Sequence, residues 1–159
     1  IKTIKESIDK LDWEKFMYRQ QTFHAHKDTQ SVPLIFDKDF RINNPTHLED
    51  FNRYEDFLKK LKQKFKKKLG IGFIIRALLV KLKNNSAISP HCDSGMSLSA
   101  CNRVHIPIVT NRKVIFTVGT ESKYLKAGEM WEINNSRKTH DVSNSSNKDR
   151  VHLIVDWMQ

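Results

Sequence analysis

Apolar residues recur at Ile1, Ile4, Ile8 and Leu11, three or four positions apart, and predict a short amphipathic helix that Asp12-Trp13 ends. A longer stripe through Leu48, Phe51, Tyr54, Leu58, Leu61, Phe65 and Leu69 predicts a second helix. Pro45-Thr46-His47-Leu48-Glu49 reads as a capping box for it, with Thr46 as N-cap and Glu49 at the third helical position, and Gly70 is a natural stop. The rest of the chain from Gln21 onward consists of short segments, 22–26, 32–36, 71–83, 104–110, 114–118, 129–134 and 150–157. Many of these alternate with the period of two expected of strands with one buried face. Turn formers such as Asn84-Asn85-Ser86, Asn134-Asn135-Ser136 and Asn144-Ser145-Ser146-Asn147 separate them. The pattern predicts a mainly β chain with N-terminal helices, its strands closing as a double-stranded β-helix, jelly-roll or cupin-like. One domain over 1–159 is expected, with 1–70 as helical and extended support and 71–157 as the barrel core.

Composition narrows the classes without changing that picture. The chain is 38% hydrophobic and 29% charged, which suits a globular protein. No apolar run approaches the ~20 residues that span a bilayer. No secretory h-region opens the sequence and only two cysteines, Cys92 and Cys101, are present, so an intracellular, cytoplasmic location is expected. There is no repeat period, no Walker A sequence and no G-x-G-x-x-G. The net charge of +10 invites a nucleic-acid partner, but residues 59–68 hold seven lysines and no acid, leaving +3 for the other 149 residues. Acids fill the first half of the predicted helix and lysines the second, the order that its dipole favours. The lysines therefore read as a solvated helix end, and a nucleic-acid partner is not expected.

The chemistry lies in the β portion. In Ser89-Pro90-His91-Cys92-Asp93-Ser94-Gly95, an extended backbone puts His91 and Asp93 on one face and Cys92 on the other. His140, in Lys138-Thr139-His140-Asp141-Val142, follows His91 by 49 residues, a separation that a double-stranded β-helix can bring to one mouth. Two imidazoles and a carboxylate on one face leave three adjacent coordination positions open, the facial triad suited to non-haem Fe(II), although zinc accepts the same ligands. Arg150 lies ten residues after His140 and opens the last strand, and Arg103 and His105 share a face of another. Buried guanidinium groups are costly unless they meet an anion, and a dicarboxylate bridging the metal and Arg150 would meet that need.

The ordered blocks His91-Cys92-Asp93, Asn102-Arg103-Val104-His105-Ile106-Pro107-Ile108, Gly128-Glu129-Met130-Trp131-Glu132-Ile133-Asn134-Asn135, His140-Asp141-Val142-Ser143-Asn144 and Arg150-Val151-His152-Leu153-Ile154-Val155-Asp156 resemble those of the aspartyl/asparaginyl β-hydroxylase family. The resemblance covers about residues 71–157, with a weaker echo from Phe23 to Pro33. It implies an Fe(II)- and 2-oxoglutarate-dependent dioxygenase that uses O2 to hydroxylate an unactivated C–H bond of an amino-acid, peptidyl or other small substrate, with succinate and CO2 as coproducts. His91, Asp93 and His140 would then be the metal ligands and catalytic centre. Arg150 would take the distal carboxylate of 2-oxoglutarate, with Arg103 and His105 near its metal-side carboxylate. Asp93 stands where the founding peptidyl hydroxylases carry Gly, which favours an ordinary facial triad and weakens the case for a peptidyl substrate.

Other residues carry two readings each. His24 and His26 are candidates for the pocket mouth, Trp131 for a substrate platform or a barrel-edge aromatic, and Arg76 for a buried anion contact or an ordinary salt bridge. His152 is either a core histidine or a neighbour of Arg150 in the site. The alternative function is a metal-binding β-barrel without turnover, a sensor or a degenerate oxygenase.

Overall fold

The computed structural model describes residues 2–159, so Ile1 of the expected first stripe lies outside the described residues. Among these, nine strands form two antiparallel sheets. The larger holds β1 (Thr29–Ile35), β2 (Phe73–Leu82), β9 (Arg150–Met158), β4 (Asn102–Val109) and β7 (Trp131–Ile133) in that spatial order. The smaller holds β3 (Ser86–His91), β8 (His140–Asn144), β5 (Val114–Val118) and β6 (Glu121–Lys123). Leu82 from the larger sheet packs with Ile88, Val114, Phe116 and Val142 of the smaller, closing one end of the space between them. This is the expected jelly-roll class.

Four helices complete the chain: α1 (Lys2–Ser7), α2 (Tyr18–Thr22), α3 (Phe51–Leu69) and α4 (Met96–Ala100). Ile4, Ile8 and Leu11 are buried, as their spacing predicts. Tyr54, Leu58, Leu61 and Phe65 of α3 pack on Ala77, Leu79, Leu153, Val155 and Trp157, the outward face of the larger sheet. Each such buried side chain contributes ~1.5–3 kcal/mol. The lysines of 59–68 are left on the opposite, exposed side of the helix. Gly70 ends α3 with φ of 95°, a value that favours glycine.

Two local expectations fail, each for a visible reason. The capping box does not form: α3 starts at Phe51, and Thr46 gives its backbone N–H (3.1 Å) and hydroxyl (2.6 Å) to Asp37 instead. A buried carboxylate that also holds Arg41 is a stronger acceptor set for that loop than a helix end. Residues 22–26 are not a strand but the end of α2 and a 3-10 turn at His24–His26, which the Thr29 hydroxyl locks by bonding the His26 carbonyl at 2.7 Å. The extended part of residues 1–70 is β1, which pairs with β2 at the edge of the larger sheet. The other expected strands are found with ends moved by at most two residues from prediction, except β1, which begins three earlier. Strands β3, β6 and β8 lie outside the expected segments.

Strands β1, β2, β9 and β4 of the larger sheet are buried on both faces, not one. Along β9 the outward residues Val151, Leu153, Val155 and Trp157 are apolar and meet the helices. The inward set is Arg150, His152, Ile154 and Asp156. The polar face of this strand is therefore the interior one, and that inversion builds the site.

Candidate active site

Strands β3 and β8 are neighbours, and their register sets His91 opposite His140 with ring centroids 4.3 Å apart. Asp93 follows two residues beyond the histidine that ends β3. Its carboxylate oxygens lie 3.8 Å from His91 Nε2 and 3.9 Å from His140 Nε2. One ligand atom from each of the three falls within 4.8 Å of the others. His91 Nδ1 donates to the Ser89 carbonyl at 2.7 Å, which leaves the Nε2 lone pair free for a cation. Burial first, with the nearby charge of Arg103, outweighs Asp93 and lowers the His140 pKa to about 4. A neutral imidazole is the form a metal requires.

Asp93 is held by residues outside the triad. Its backbone N–H bonds the Asn135 carbonyl at 2.8 Å, the Asn135 amide returns to its carboxylate at 3.1 Å, and Arg103 Nη1 donates to the same oxygen. Arg103 also forks onto Asp156 at 2.7 and 2.8 Å. Asp156 is opposite both Arg76 on β2 and Arg103 on β4, so one fully buried carboxylate joins three adjacent strands. Burial alone would raise the Asp156 pKa, but the two guanidinium groups lower it below the usual carboxylate range.

Further along the inner wall stands Arg150, 1% exposed, with no carboxylate within 4.0 Å among the described residues. Its Nη2 donates to His152 Nδ1 at 2.6 Å, while Nε and Nη1 have no partner. His105 Nε2 and His152 Nε2 are also buried without partners, and the two Nδ1 atoms stand 3.5 Å apart. Burial, then the charge of Arg150, lowers the pKa of both histidines well below the ordinary value. Burial and the charge of Arg19 bring Arg150 down to about 9. Arg150 and His105 line an inner cavity of about 20 Å³, which shares Arg19, His26, His91, Arg103 and Ile154 with an outer pocket of about 410 Å³.

The model of the aspartyl/asparaginyl β-hydroxylase family matches residues 2–159. The chain belongs to that family. Among solved structures, it is similar to a 2OG-Fe(II) oxygenase family oxidoreductase from Burkholderia pseudomallei, with a TM-score of 0.64 and 16% identity over 84% of this chain and 69% of that one. It is also similar to the plu4264 protein from Photorhabdus luminescens, with a TM-score of 0.52 and 13% identity over 94% of this chain and 84% of that one. At these identities the likeness concerns the fold. No curated protein sequence matches the chain. Membership in the hydroxylase family supports a hydroxylase-type, oxidoreductase function.

The geometry sorts the candidates that the family blocks supply. His91, Asp93 and His140 come together, as do Arg150 and His105. Arg103 stands beside the triad, its donors held by Asp156 and Asp93, so that it braces the triad's carboxylate. Arg76 lines the outer pocket, yet its anion is Asp156, with Ser97 Oγ at 3.0 Å. His24 is exposed at the rim of that pocket, and His26 is buried against His91 with ring centroids 5.1 Å apart. Trp131 is not part of it. It lines a separate cavity of about 250 Å³, its indole N–H held by Glu129 at 2.9 Å and Lys123 lying over its ring. Sequence reasoning missed Asp156, Asn135 and Arg19. Asp156 was signalled by its parity with Arg150 and His152, and Asn135 by its place in a hydroxylase block. Arg19 carried no signal.

Proposed function

We propose that the chain is one oxygenase domain, an Fe(II)- and 2-oxoglutarate-dependent dioxygenase that hydroxylates a C–H bond of an amino-acid, peptidyl or other small substrate. Arg150 is the observation that carries this reading. A guanidinium with unpaired Nε and Nη1, sealed in the barrel beside a His-Asp-His cluster, calls for an anion at that place. His91, Asp93 and His140 would hold the iron, a donor set that leaves adjacent coordination positions open. Bound there, the iron and 2-oxoglutarate would supply the activation of O2 and the oxidising power for C–H hydroxylation, releasing succinate and CO2.

The chain's own residues do the rest. Ser89 orients the His91 ring, and Arg103 and Asn135 fix the Asp93 carboxylate. Arg150 would receive the distal carboxylate, a bidentate match for its fork. The inner cavity is narrow, so the dicarboxylate would draw on the adjoining pocket and on rotation of Arg150 off His152. Neutral His105 and His152, their Nε2 atoms unpartnered, offer hydrogen bonds without added charge. Phe116, edge-on to His105 at 5.0 Å, helps keep this wall dry. The lysine-rich α3 packs on the outward face of the sheet, which supports a scaffold role over nucleic-acid binding.

The test is anaerobic reconstitution with Fe(II) and 2-oxoglutarate, then admission of O2 and assay of succinate. Slow substrate-free succinate release, raised by a matching substrate, is the expected result. Metal binding with no 2-oxoglutarate binding and no succinate would instead identify a non-catalytic metal-binding barrel.

A further inference from the structure

The two buried arginines around Asp156 are neutralised there, and Arg103 also meets Asp93. Arg19, on α2, is different. It is 9% exposed and has no carboxylate within 4.0 Å among the described residues. Among the described residues its guanidinium bonds only Ser31 Oγ at 3.4 Å and His26 Nε2 at 3.0 Å, so two of its five N–H donors are used. Because a guanidinium only donates, His26 Nε2 accepts and the ring proton sits on Nδ1, which is itself buried without a partner. Arg19 and His26 thus present a single positive charge and spare donors to the outer pocket that His91 and Asp93 also line. Phe23, Phe36, Phe40, Leu78, Leu98 and Ile154 form an apolar wall in that pocket, and its other two guanidinium groups, Arg76 and Arg103, are paired with carboxylates. Its volume of about 410 Å³ falls in the ~300–1,000 Å³ range of small-molecule sites. The one carboxylate in its lining, Asp93, is bound to Arg103, so nothing there meets an ammonium group.

We propose that Arg19, with His26, anchors the carboxylate of the substrate, and that this substrate is an organic monoanion with an apolar body and no free ammonium group: a carboxylic acid or an N-acylated amino acid. The inference rests on the oxygenase reading only in assigning the other unpaired guanidinium, Arg150, to 2-oxoglutarate. One net charge at Arg19 matches a carboxylate better than a phosphate dianion, and the aromatic wall takes the body.

The probes are N-acetyl-L-leucine, its carboxamide, free L-leucine and octanoate, titrated calorimetrically without O2 into the protein with Mn(II), with and without 2-oxoglutarate. The wild type should bind N-acetyl-L-leucine or octanoate, with the carboxamide and free leucine weaker by about ten- to a hundredfold. Arg19→Met should erase the preference for acid over amide while leaving Mn(II) and 2-oxoglutarate affinities unchanged, and Arg19→Lys should restore part of it. The unliganded Arg19→Met protein should melt no lower than the wild type, since it loses an unneutralised buried cation. Equal binding of acid and amide, no binding of either acid, or an acid preference that survives in Arg19→Met would overturn the proposal. So would a loss confined to 2-oxoglutarate, which would make Arg19 a cosubstrate residue. Failure of 2-oxoglutarate to bind the wild type would count against the oxygenase reading alone, because the acid-over-amide preference is also read with Mn(II) only.

Discussion

Replacing Arg150 by Met separates two effects that the structure sets in opposite directions. With 2-oxoglutarate absent, the guanidinium is a buried cation whose Nε and Nη1 have no partner. Unsatisfied buried groups cost ~1–3 kcal/mol each, more when charged, whereas the one bond lost, to His152 Nδ1, is worth ~1.5–3 kcal/mol. The unliganded variant should therefore be at least as stable as the wild type, and each net 1 kcal/mol would raise the melting midpoint by ~2–4 °C in a chain of this size. With the cosubstrate present the sign reverses. Charge-assisted hydrogen bonds worth ~1.5–3 kcal/mol are lost, so 2-oxoglutarate affinity should fall by roughly 10- to 150-fold. Arg150→Lys should recover only part, since a point charge cannot reproduce the fork. Thermal melting with and without 2-oxoglutarate, and anaerobic calorimetry with Fe(II) bound, measure the two effects separately. An Arg150→Met protein that melts well below the wild type and still binds 2-oxoglutarate normally would show that the guanidinium is an internal strut, and the reasoning would fail.

A divalent ion soaked into crystals should sit on His91, Asp93 and His140 at about 2.0–2.2 Å; the three side chains staying apart, or the ion settling elsewhere, would refute the assignment. Asp156→Asn should cost about 3–5 kcal/mol in a denaturant titration, because it leaves Arg76 and Arg103 buried without their anion, and a loss under 1 kcal/mol would contradict the bracing role given to Asp156. Changing Lys64, Lys66 and Lys67 to Gln should leave turnover nearly unchanged and lower the isoelectric point; loss of most activity in a folded protein would mean that α3 docks an acidic partner. His105 and His152 are held neutral, with pKa values well below the ordinary 6.5, so below that pH the unfolded chain binds protons that the folded chain does not. Stability should therefore fall as pH drops from about 6.5, by up to ~1.4 kcal/mol per unit for each histidine, and a flat unfolding midpoint between pH 7.5 and 5.5 would exclude this.

The legible parts of the sequence are those where one local rule acts alone. The stripe of α3 is read correctly because Tyr54, Leu58, Leu61 and Phe65 face a single apolar surface. The start of that helix is misread because Asp37, nine residues before Thr46 in the chain, competes for the same hydroxyl and amide. Strand β8 is short and carries His140, Asp141 and Ser143 among its five residues, so it offers no apolar alternation to find. The clustering of His91, Asp93 and His140 is legible through their spacing and the hydroxylase blocks. The link between Arg103 and Asp156 is not legible, because the two are 53 residues apart and pairing across strands cannot be read from either residue alone.

The inversion of polarity in β9 explains why these features coexist. A sheet that exposed its outward face would need polar residues there and could keep its interior apolar. Here α1 and α3 cover the outward face, so Val151, Leu153, Val155 and Trp157 supply the stabilising burial on that side. The inward face is then freed to carry groups that cost stability, Arg150, His152 and Asp156, at a spacing fixed by the strand. Of the four guanidinium groups on the walls of the inner and outer cavities, those of Arg76 and Arg103 are balanced by Asp156 and Asp93, while those of Arg19 and Arg150 are not. A divalent ion on the triad would add positive charge. The interior as built is therefore complementary to anions that the chain does not itself contain, and the helices on the far side of the sheet make that imbalance tolerable.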